Sequence, residues 1–430
     1  MKEAFLHHLW KYRKFNGAAS TSMLKTVCGK ELQIVNTGSH NELSGPDFFN
    51  AQVRIDGQLW AGNVEIHIKS SDWYLHNHEQ DAAYDNVILH VVWEDDCAVF
   101  DKAEMPIPSL ILQDKVAEEL LFNYKHLLEA KSYHFINCES RISETPDFLF
   151  ENWMEHLFFE RLERKVLQVE QLLNTKNGDW EAVLFTMLAR NFGTVINADA
   201  FEDVASVIDF KTIRKLSSQK GQLEGVLLGL AGLLPEEADD LQIRNWKTEY
   251  KYNQHKYRLA SGINQKIQFF KLRPPNFPTI RLSQLAQLYE KNTNLFSLVL
   301  AAKTRDALQN LFSAETSTYW ETHYNFAKTH KKRTKKTTPA FIDILIINTL
   351  VPIKFAYAKT KGQSVEEDLV NLMLTLPQEV NSITTGFIKL RSIKKDALHS
   401  QALIQLKKTY CDQNRCLHCQ IGNYLLHEAV

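Results

Sequence analysis

A pair of apolar segments joined by Asp56-Gly57 constrains the fold of this chain more than any other feature. Residues 48–55 carry apolar side chains at nearly alternate positions, and residues 59–68 repeat the pattern after the turn. Alternation with a period of two is typical of a strand with one buried face. Asp-Gly is a preferred two-residue hairpin turn, because both positions tolerate positive φ. The sequence therefore predicts an antiparallel hairpin.

Charged side chains are concentrated on this hairpin. Asp47 comes directly before its first strand, and Glu65, His67 and Lys69 follow at alternate positions of its second strand. Alternate residues of a strand point to one face, so the acid, the imidazole and the ammonium are expected side by side. Two carboxylates can hold Mg²⁺ or Mn²⁺ by their oxygens. Such a metal polarises a phosphate and lowers the pKa of a bound water. We therefore predict that Asp47 and Glu65 are metal ligands.

The two basic side chains beside Glu65 have distinct predicted roles in the same reaction. Lys69 can orient the attacking water or stabilise the charge that develops on the phosphate. His67 can serve as a metal ligand or as a general base, because a neutral imidazole offers a lone pair. Together with Asp47 and Glu65, these two residues complete the predicted catalytic set.

Further acids and histidines in and around residues 41–94 are weaker candidates. Asp72, next to Trp73, can instead cap a helix, and a histidine within an apolar strand is usually a hydrogen-bonded core residue. The remaining side chains that can add ligands are Glu3, Glu42, His76, His78, Asp81, Asp85 and His90.

The pattern of apolar residues divides the chain into two parts and predicts an α+β fold. Residues 1–115 alternate helix, strand, hairpin, helix and strand, as expected of one α/β domain. Residues 116–430 carry apolar and charged side chains at helical spacing in almost every segment. We predict a large all-helical domain there, with two layers divided near the Pro-rich segment 273–281 and with a cysteine cluster at its end.

A nucleic-acid partner is suggested by one basic segment and not by the net charge of the chain. The chain has 50 Lys and Arg residues against 51 Asp and Glu residues, so no overall field attracts polyanions. The run HKKRTKKT at 330–337 is either a solvated loop or a patch that contacts phosphates. The predicted nucleic-acid contacts are Arg273, Arg281, Lys331, Lys332, Arg333, Lys335 and Lys336.

The longest apolar run, at 341–351, is shorter than the ~20 residues that span a bilayer. No signal peptide is recognisable, so we expect a cytoplasmic protein without a membrane partner, in a compartment that keeps thiols reduced. Cys411, Cys416 and Cys419 have a C-x4-C-x2-C spacing that suits zinc or an iron–sulfur cluster. Cys138 is the preferred fourth ligand and His418 the next, while plain reduced thiols are the alternative.

Five segments of the chain together carry a family resemblance: SGPDF (44–48), GNVEIHIKSSDWYLHNH (62–78), YDNVILHVV (84–92), RPPNFPTIRLSQLA (273–286) and CLHCQIGNYLL (416–426). With these segments the chain resembles the bacterial domain-of-unknown-function 2851 family, which is uncharacterised and therefore implies little about function.

The N-terminal part also resembles the PD-(D/E)XK nuclease fold in the order Pro46-Asp47, hairpin, Glu65-Ile66-His67. This resemblance implies a central mixed sheet flanked by helices and metal-dependent cleavage. His67 stands where that superfamily has lysine. One early and three late cysteines are similar to the iron–sulfur arrangement of some nucleases related to bacterial recombination enzymes.

Three functional hypotheses follow, and none of them predicts an oligomeric state. The leading one is an Mg²⁺- or Mn²⁺-dependent nuclease that acts on DNA or RNA phosphodiesters. The second is a non-catalytic nucleic-acid-binding or scaffold protein on a degenerate nuclease fold, which the missing lysine at position 67 favours. The third is another metal-dependent phosphoesterase that uses the histidine-rich segment with zinc or manganese.

Overall fold

The computed structural model describes residues 2–16, 23–41, 44–128, 134–237, 239–260, 262–263 and 265–427. Glu42, one of the weaker acid candidates, lies outside these residues. The chain forms two compact units. The first comprises Met1–Trp153, Lys389–Arg391 and Leu406–Val430, and the second comprises Met154–Ile388 and Ser392–Gln405. The first unit is therefore larger than the predicted domain 1–115, because it includes later helical residues and the C-terminal segment.

The first unit contains a mixed sheet, which confirms the α+β class. Its strands occur in the spatial order β1-β2-β4-β5-β6-β7, with β3 paired to β4. They are β1 (Leu24–Lys25), β2 (Glu31–Asn36), β3 (Ser39–His40), β4 (Phe48–Ile55), β5 (Gln58–Lys69), β6 (Val87–Glu94) and β7 (Ser109–Ile111). The pairings among β1 to β5 are antiparallel, whereas the pairings of β5 with β6 and of β6 with β7 are parallel.

The predicted hairpin is strands β4 and β5. Its turn residues Asp56 and Gly57 have φ values of 47° and 81°, the positive angles that make Asp-Gly favourable at this position. The Asp56 carboxylate also accepts a hydrogen bond from the backbone N–H of Glu31, which ties the turn to β2. Asp56 is thus a turn residue, and the hairpin fixes the register on which the candidate site depends.

Helix α1 (Glu3–Lys11) covers one face of this sheet. Its buried side chains Phe5, Leu6, Leu9 and Trp10 recur at the spacing of one helical face. They share a hydrophobic core with strand residues and with Leu417 and Leu426 of the C-terminal segment, among others. Glu3 and His7 lie four residues apart, so α1 presents both on one face.

The other helices of the first unit are short, apart from α3. They are α2 (Asp72–Leu75), α3 (Glu118–Leu128) and α18 (Gln420–His427), with 3₁₀ turns at His78–Gln80, Ala82–Tyr84, Ile142–Glu144 and Cys416–His418 and a π-helical stretch at Leu406–Cys411. The short helix predicted at 81–85 is the 3₁₀ turn at Ala82–Tyr84.

The second unit is helical in the part of the chain that the structure describes. The chain enters it within α4 (Asp147–Thr175). The helices that follow are α5 (Trp180–Phe192), α6 (Thr194–Ser206), α7 (Phe210–Ser217), α8 (Gln222–Leu230), α9 (Leu241–Tyr257), α10 (Pro278–Lys291), α11 (Leu295–Ala301), α12 (Arg305–Leu311), α13 (Pro339–Leu345), α14 (Val351–Thr360), α15 (Glu366–Thr375), α16 (Ser382–Leu390) and α17 (Ala397–Gln405).

The Pro-rich segment 273–281 forms a 3₁₀ turn at Pro274–Asn276 and then begins α10, where Pro278 occupies the first turn. Proline suits this position because the first helical N–H groups have no intrahelical partner. The role of this segment as a divider between two layers stays a prediction. A further 3₁₀ turn lies at Thr318–Glu321.

Helices α13 and α14 join through a π-helical stretch at Ile346–Leu350 into one helix, Pro339–Thr360, that contains the longest apolar run. By length and composition alone it meets the requirement for a membrane span. About 72% of its most apolar window is buried inside the protein, as is usual for the core helix of a globular domain. A cytoplasmic location stays a prediction.

We expect Gly62→Ala to destabilise the first unit, because β5 and β6 approach closely at this position. A Cβ on residue 62 would lie 2.5 Å from Ile88 Cγ2 and 2.7 Å from the Asn86 carbonyl oxygen. Such overpacking typically costs about 1–3 kcal/mol. Urea denaturation followed by circular dichroism should show this loss. The exposed neighbour Ala61 provides a control, since Ala61→Ser should change stability by no more than about 0.5 kcal/mol. Equal stability of the two variants would contradict the close approach.

Candidate metal centre

The hairpin brings Asp47 and Glu65 together. Phe48 pairs with Val64 across β4 and β5, so the preceding Asp47 lies beside the following Glu65. Two hydrogen bonds join the strands there: the Asp47 backbone N–H donates to Glu65 Oε2 at 3.1 Å, and the Ile66 N–H donates to Asp47 Oδ2 at 3.0 Å. Both carboxylates are thus held in place by the backbone of the opposite strand. The two predicted acidic ligands do converge.

Three histidines form a compact group next to Glu65. His67 follows on β5, and His76 and His78 come from the segment after α2. Their ring nitrogens include a set, one from each residue, in which all members lie within 4.8 Å of one another. Asn77 separates His76 from His78 and has a φ of 58°, a left-handed conformation that asparagine tolerates better than most residues. This single turn residue lets both histidines approach His67.

Three distances in the site are close to those between the ligands of a tetrahedral metal. His67 Nε2 lies 3.1 Å from His76 Nδ1. Glu65 Oε1 lies 3.5 Å from His67 Nε2 and 3.3 Å from His78 Nε2. Ligands at ~2.0–2.1 Å from a tetrahedral zinc are roughly 3.3–3.4 Å from each other. These three pairs therefore have the spacing of metal ligands, while the group within 4.8 Å comprises the three imidazoles and does not include Glu65.

Aromatic side chains pack against the histidines of this group. The Nδ1 atom of His67 lies 2.9 Å from Nε2 of His90 on β6. If His67 donates its Nδ1–H to His90, its Nε2 keeps a lone pair toward the group, as metal-binding histidines require. Tyr84 stacks on His78 with ring centroids 3.8 Å apart, and the buried Trp73 contacts the rings of His78 and His90. These contacts fix the ring orientations.

Helix α1 contributes to the carboxylate side of the site. His7 Nε2 lies 3.2 Å from Asp47 Oδ2. Burial lowers the pKa of His7, but the hydrogen bond to Asp47 and its charge outweigh burial, so the pKa is raised overall. Burial, followed by the charge of Asp47, raises the pKa of Glu3 to about 7. Glu3, a weaker acid candidate, therefore lies in the electrostatic field of the site.

The protonation of the site favours a cation. Burial raises the pKa of Glu65, with the charge of Asp47 adding to the effect. Burial, together with neighbouring imidazoles, lowers the pKa of His67 to about 2 and that of His90 to about 3. His67 and His90 are thus neutral at physiological pH, and a metal ion binds only the deprotonated form of each ligand.

Lys69 lies away from these groups. Its side chain is about half exposed, and its Nζ is 3.8 Å from Glu94 on β6. No contact of Lys69 with Asp47 or Glu65 is seen among the described residues, because the buried part of β5 ends before this position. The prediction that Lys69 replaces the usual nuclease lysine therefore has no support from its position.

Several other acids have structural roles. Asp72 accepts a hydrogen bond from the Lys69 backbone N–H, and Asp81 accepts one from the Ala83 N–H at the start of a 3₁₀ turn. Asp85 is exposed. Asp72 is the first residue of α2, whose N-cap position is Ser71, so its carboxylate ties the helix to the end of β5 and does not cap it.

The predicted nucleic-acid contacts fall into two classes. Arg281 and Lys335 are each only 6% exposed. The Arg281 guanidinium lies 3.5 Å from the centroid of the Phe341 ring, and the Lys335 ammonium donates to the Trp320 carbonyl oxygen. Both side chains are bound within the protein interior. The prediction that Arg281 and Lys335 contact nucleic acid is therefore wrong. The exposed members, for which contact stays a prediction, are Arg273, Lys331, Lys332, Arg333 and Lys336.

The four cysteines of the predicted cluster lie close together in the structure, although Cys138 is far from the others in the sequence. Cys138 lines the same cavity as Cys411, Cys416 and Cys419. His418, the second choice for a fourth ligand, is not among the residues that line this cavity.

Sequence reasoning missed His7 altogether. The available signal was its spacing of four residues from Glu3 on a helix with a clear apolar face, which places both side chains together. The sequence did not show how α1 is oriented on the hairpin, and this orientation places His7 beside Asp47. His76, His78 and His90 were weaker candidates, since their separation along the chain does not reveal the turn at Asn77.

Comparisons with known proteins identify the family of the chain but no characterised relative. No curated protein matches the sequence, and no solved structure matches the fold. A family model described as "Protein of unknown function (DUF2851)" matches residues 3–382. Because this match covers nearly the whole chain and includes four of the five segments that carry the resemblance, the protein belongs to the DUF2851 family.

Proposed function

We propose that this protein is a divalent-metal-dependent hydrolase of phosphodiester bonds and that nucleic acid is its substrate. One observation carries the proposal: Asp47 and Glu65 are locked together by backbone hydrogen bonds, and Glu65 continues into a histidine group with the spacing of metal ligands. Carboxylate and imidazole ligands together suit Mn²⁺ or Zn²⁺ as well as Mg²⁺. A metal held there supplies a Lewis acid and an activated water.

The proposed role of each residue follows from its charge. Asp47 and Glu65 hold the cation and set the negative charge of the site. His67 acts as a ligand rather than a general base, because a group with a pKa of about 2 is a weak proton acceptor near neutral pH. His90 orients His67 from behind. Of the two roles that the sequence left open for His67, we therefore assign it that of a ligand.

The choice of a phosphodiester substrate rests on the arrangement of the strands. Asp47 begins one strand of an antiparallel hairpin, Glu65 lies on the other, and β6 runs parallel to that second strand. This order of acid, hairpin, acid and parallel strand is similar to the PD-(D/E)XK arrangement, in which such carboxylates bind the metal of a nuclease. Fold likeness alone does not establish cleavage, so the proposal depends on the site.

A second candidate function is hydrolysis of a different phosphate ester with zinc or manganese. Two observations favour it: three histidines contribute to the group, and Lys69 faces Glu94 rather than the carboxylates. Histidine-rich sites bind these metals more readily than Mg²⁺, which prefers oxygen ligands.

The test is to incubate the purified full-length protein with single- and double-stranded DNA and RNA in Mg²⁺, Mn²⁺ or Zn²⁺. We expect metal-dependent cleavage that Asp47→Asn reduces by about 100-fold or more, since the metal contributes several kcal/mol to transition-state stabilisation. The matched control is Asp56→Asn, which makes the same chemical change at the exposed turn of the same hairpin and should retain activity.

Each contrary result has a defined meaning. Cleavage that survives combined loss of the Asp47 and Glu65 carboxylates would disprove the assigned site. Turnover of a small phosphate ester without cleavage of nucleic acid would support the second candidate. Binding of nucleic acid without turnover in any of the metals would support the non-catalytic hypothesis.

A further inference from the structure

Four cysteines that are far apart in the sequence lie around one cavity of the first unit. Cys138 precedes the 3₁₀ turn Ile142–Glu144, Cys411 ends the π-helical stretch Leu406–Cys411, Cys416 begins the next 3₁₀ turn and Cys419 precedes α18. All four line a small cavity of about 20 Å³, as measured by the space open to the centre of a water-sized sphere. The other lining side chains are almost all apolar: Leu127, Ile136, Asn137, Ile142, Leu406, Tyr410 and Ile421.

The four cysteines are available as ligands. None of the cysteines forms a disulfide, and all six cysteines of the chain lie in its described part. Cysteine binds a metal ion or a cluster through its sulfur in the thiolate form.

The spacing of the sulfurs distinguishes a cluster from a single metal ion. Four thiolates at ~2.3 Å from a tetrahedral zinc lie roughly 3.8 Å from each other. Among the described residues, the histidine nitrogens form a group within 4.8 Å, but no three cysteine sulfurs do so. The thiols surround a space instead of meeting at a point. An iron–sulfur cluster, which is held by four cysteines at the corners of a larger core, fits this arrangement.

Hydrogen bonds to the sulfurs support the same assignment. Asn137 Nδ2 donates to Cys416 Sγ at 3.5 Å. The backbone N–H groups of Ile421 and Gly422, at the start of α18, donate to the sulfur of Cys419. Such donors stabilise the negative charge that a cluster places on its cysteine ligands.

We propose that Cys138, Cys411, Cys416 and Cys419 bind a [4Fe–4S] cluster that fastens the C-terminal segment to the rest of the first unit. Hydrogen bonds also join this segment to the rest of the unit: Asn123 donates to the Leu426 carbonyl at 3.2 Å, Arg141 donates to the Leu425 carbonyl at 3.3 Å, and Asn137 donates to Asn414 Oδ1 at 3.0 Å. Cys416, Leu417 and Leu426 complete the core beneath α1. The cluster thereby supports the helix that carries Glu3 and His7.

The test is to purify the full chain without oxygen from cells supplied with iron, and to measure iron, acid-labile sulfide and zinc. We expect about four iron and four sulfide per chain, with the broad visible absorbance of a cluster. Cys416→Ser should lose most of the iron and sulfide. Cys28→Ser, which alters an exposed cysteine, should keep both.

Two outcomes would overturn the proposal. One zinc per chain without sulfide would assign a zinc site to these cysteines, and a chain with neither iron nor zinc would leave them as packed thiols. Equal loss of iron from the Cys28 and Cys416 variants would also contradict it. The first measurement uses the unaltered chain, so a variant that fails to fold does not affect it.

Discussion

Glu65→Gln lowers the affinity of the full-length protein for Zn²⁺ or Mn²⁺ by about 100-fold or more, because it removes the carboxylate that contacts His67 and His78. Even residues that only support a metal ligand typically cost 10–100-fold in affinity when they are removed. Glu65 Oε1 is within 3.5 Å of both His67 and His78, so its neutral amide replacement loses the ligand charge and keeps the shape. Isothermal titration of the metal into protein treated with a chelator measures the change.

Glu94→Gln provides the matched control for this prediction. Glu94 lies at the exposed end of the neighbouring strand β6, where it faces Lys69. We expect its metal affinity to equal that of the unaltered protein. If Glu65→Gln binds metal as tightly as Glu94→Gln does, the three histidines form a hydrogen-bonded network and not a metal centre.

Glu224→Gln makes the stability of the second unit less dependent on pH. Glu224 lies fully buried in α8, where its Oε1 accepts hydrogen bonds from Trp320 at 2.6 Å and Ser317 at 3.0 Å. Burial raises its pKa from 4.5 to about 7, and hydrogen bonds from neighbouring side chains only partly oppose the rise. The nearby carboxylate of Glu290 adds to the rise.

The sign of this effect follows from where the proton is held. The folded protein keeps the Glu224 proton up to about pH 7, whereas the unfolded chain releases it near pH 4.5. The contribution to the free energy of unfolding is therefore complete below pH 4.5 and is lost as the pH rises through 7. The loss amounts to about 3 kcal/mol. Glutamine stays neutral, so the variant and the original protein should have equal stability at low pH and diverge toward pH 8.

Urea denaturation at a series of pH values, followed by circular dichroism, tests this expectation. Glu163→Gln is the control, because Glu163 is exposed on α4 and its replacement removes the same charge without changing the interior. The control should follow the pH dependence of the unaltered protein. If the free energy of unfolding of Glu224→Gln changes with pH in the same way as that of the unaltered protein, Glu224 holds no extra proton in the folded state.

The hairpin and its two carboxylates could be predicted from the sequence because the signals are local. The Asp56-Gly57 turn sets the register, and the register places Asp47 beside Glu65 without reference to the rest of the chain. His67 could be placed on the correct face for the same reason. Lys69 follows the same alternation but lies past the buried part of the strand, a limit that only the packing of the sheet determines.

The rest of the site depends on tertiary structure. His76 and His78 reach His67 through a left-handed residue at Asn77, and His7 reaches Asp47 from a helix that precedes the sheet. The spacing of these residues in the sequence does not predict which of them are in contact. The extent of the first unit was missed for a similar reason, since helical periodicity in residues 406–427 does not show which core the segment completes.

The division of the first unit between the two ends of the chain also has a consequence for biosynthesis. Residues that complete the core beneath α1, such as Leu417 and Leu426, are translated after the second unit. Contacts of such high sequence separation form late in folding. In a nascent chain, the core beneath α1 therefore stays incomplete until synthesis is almost over. Premature termination before residue 417 removes part of the core of the first unit.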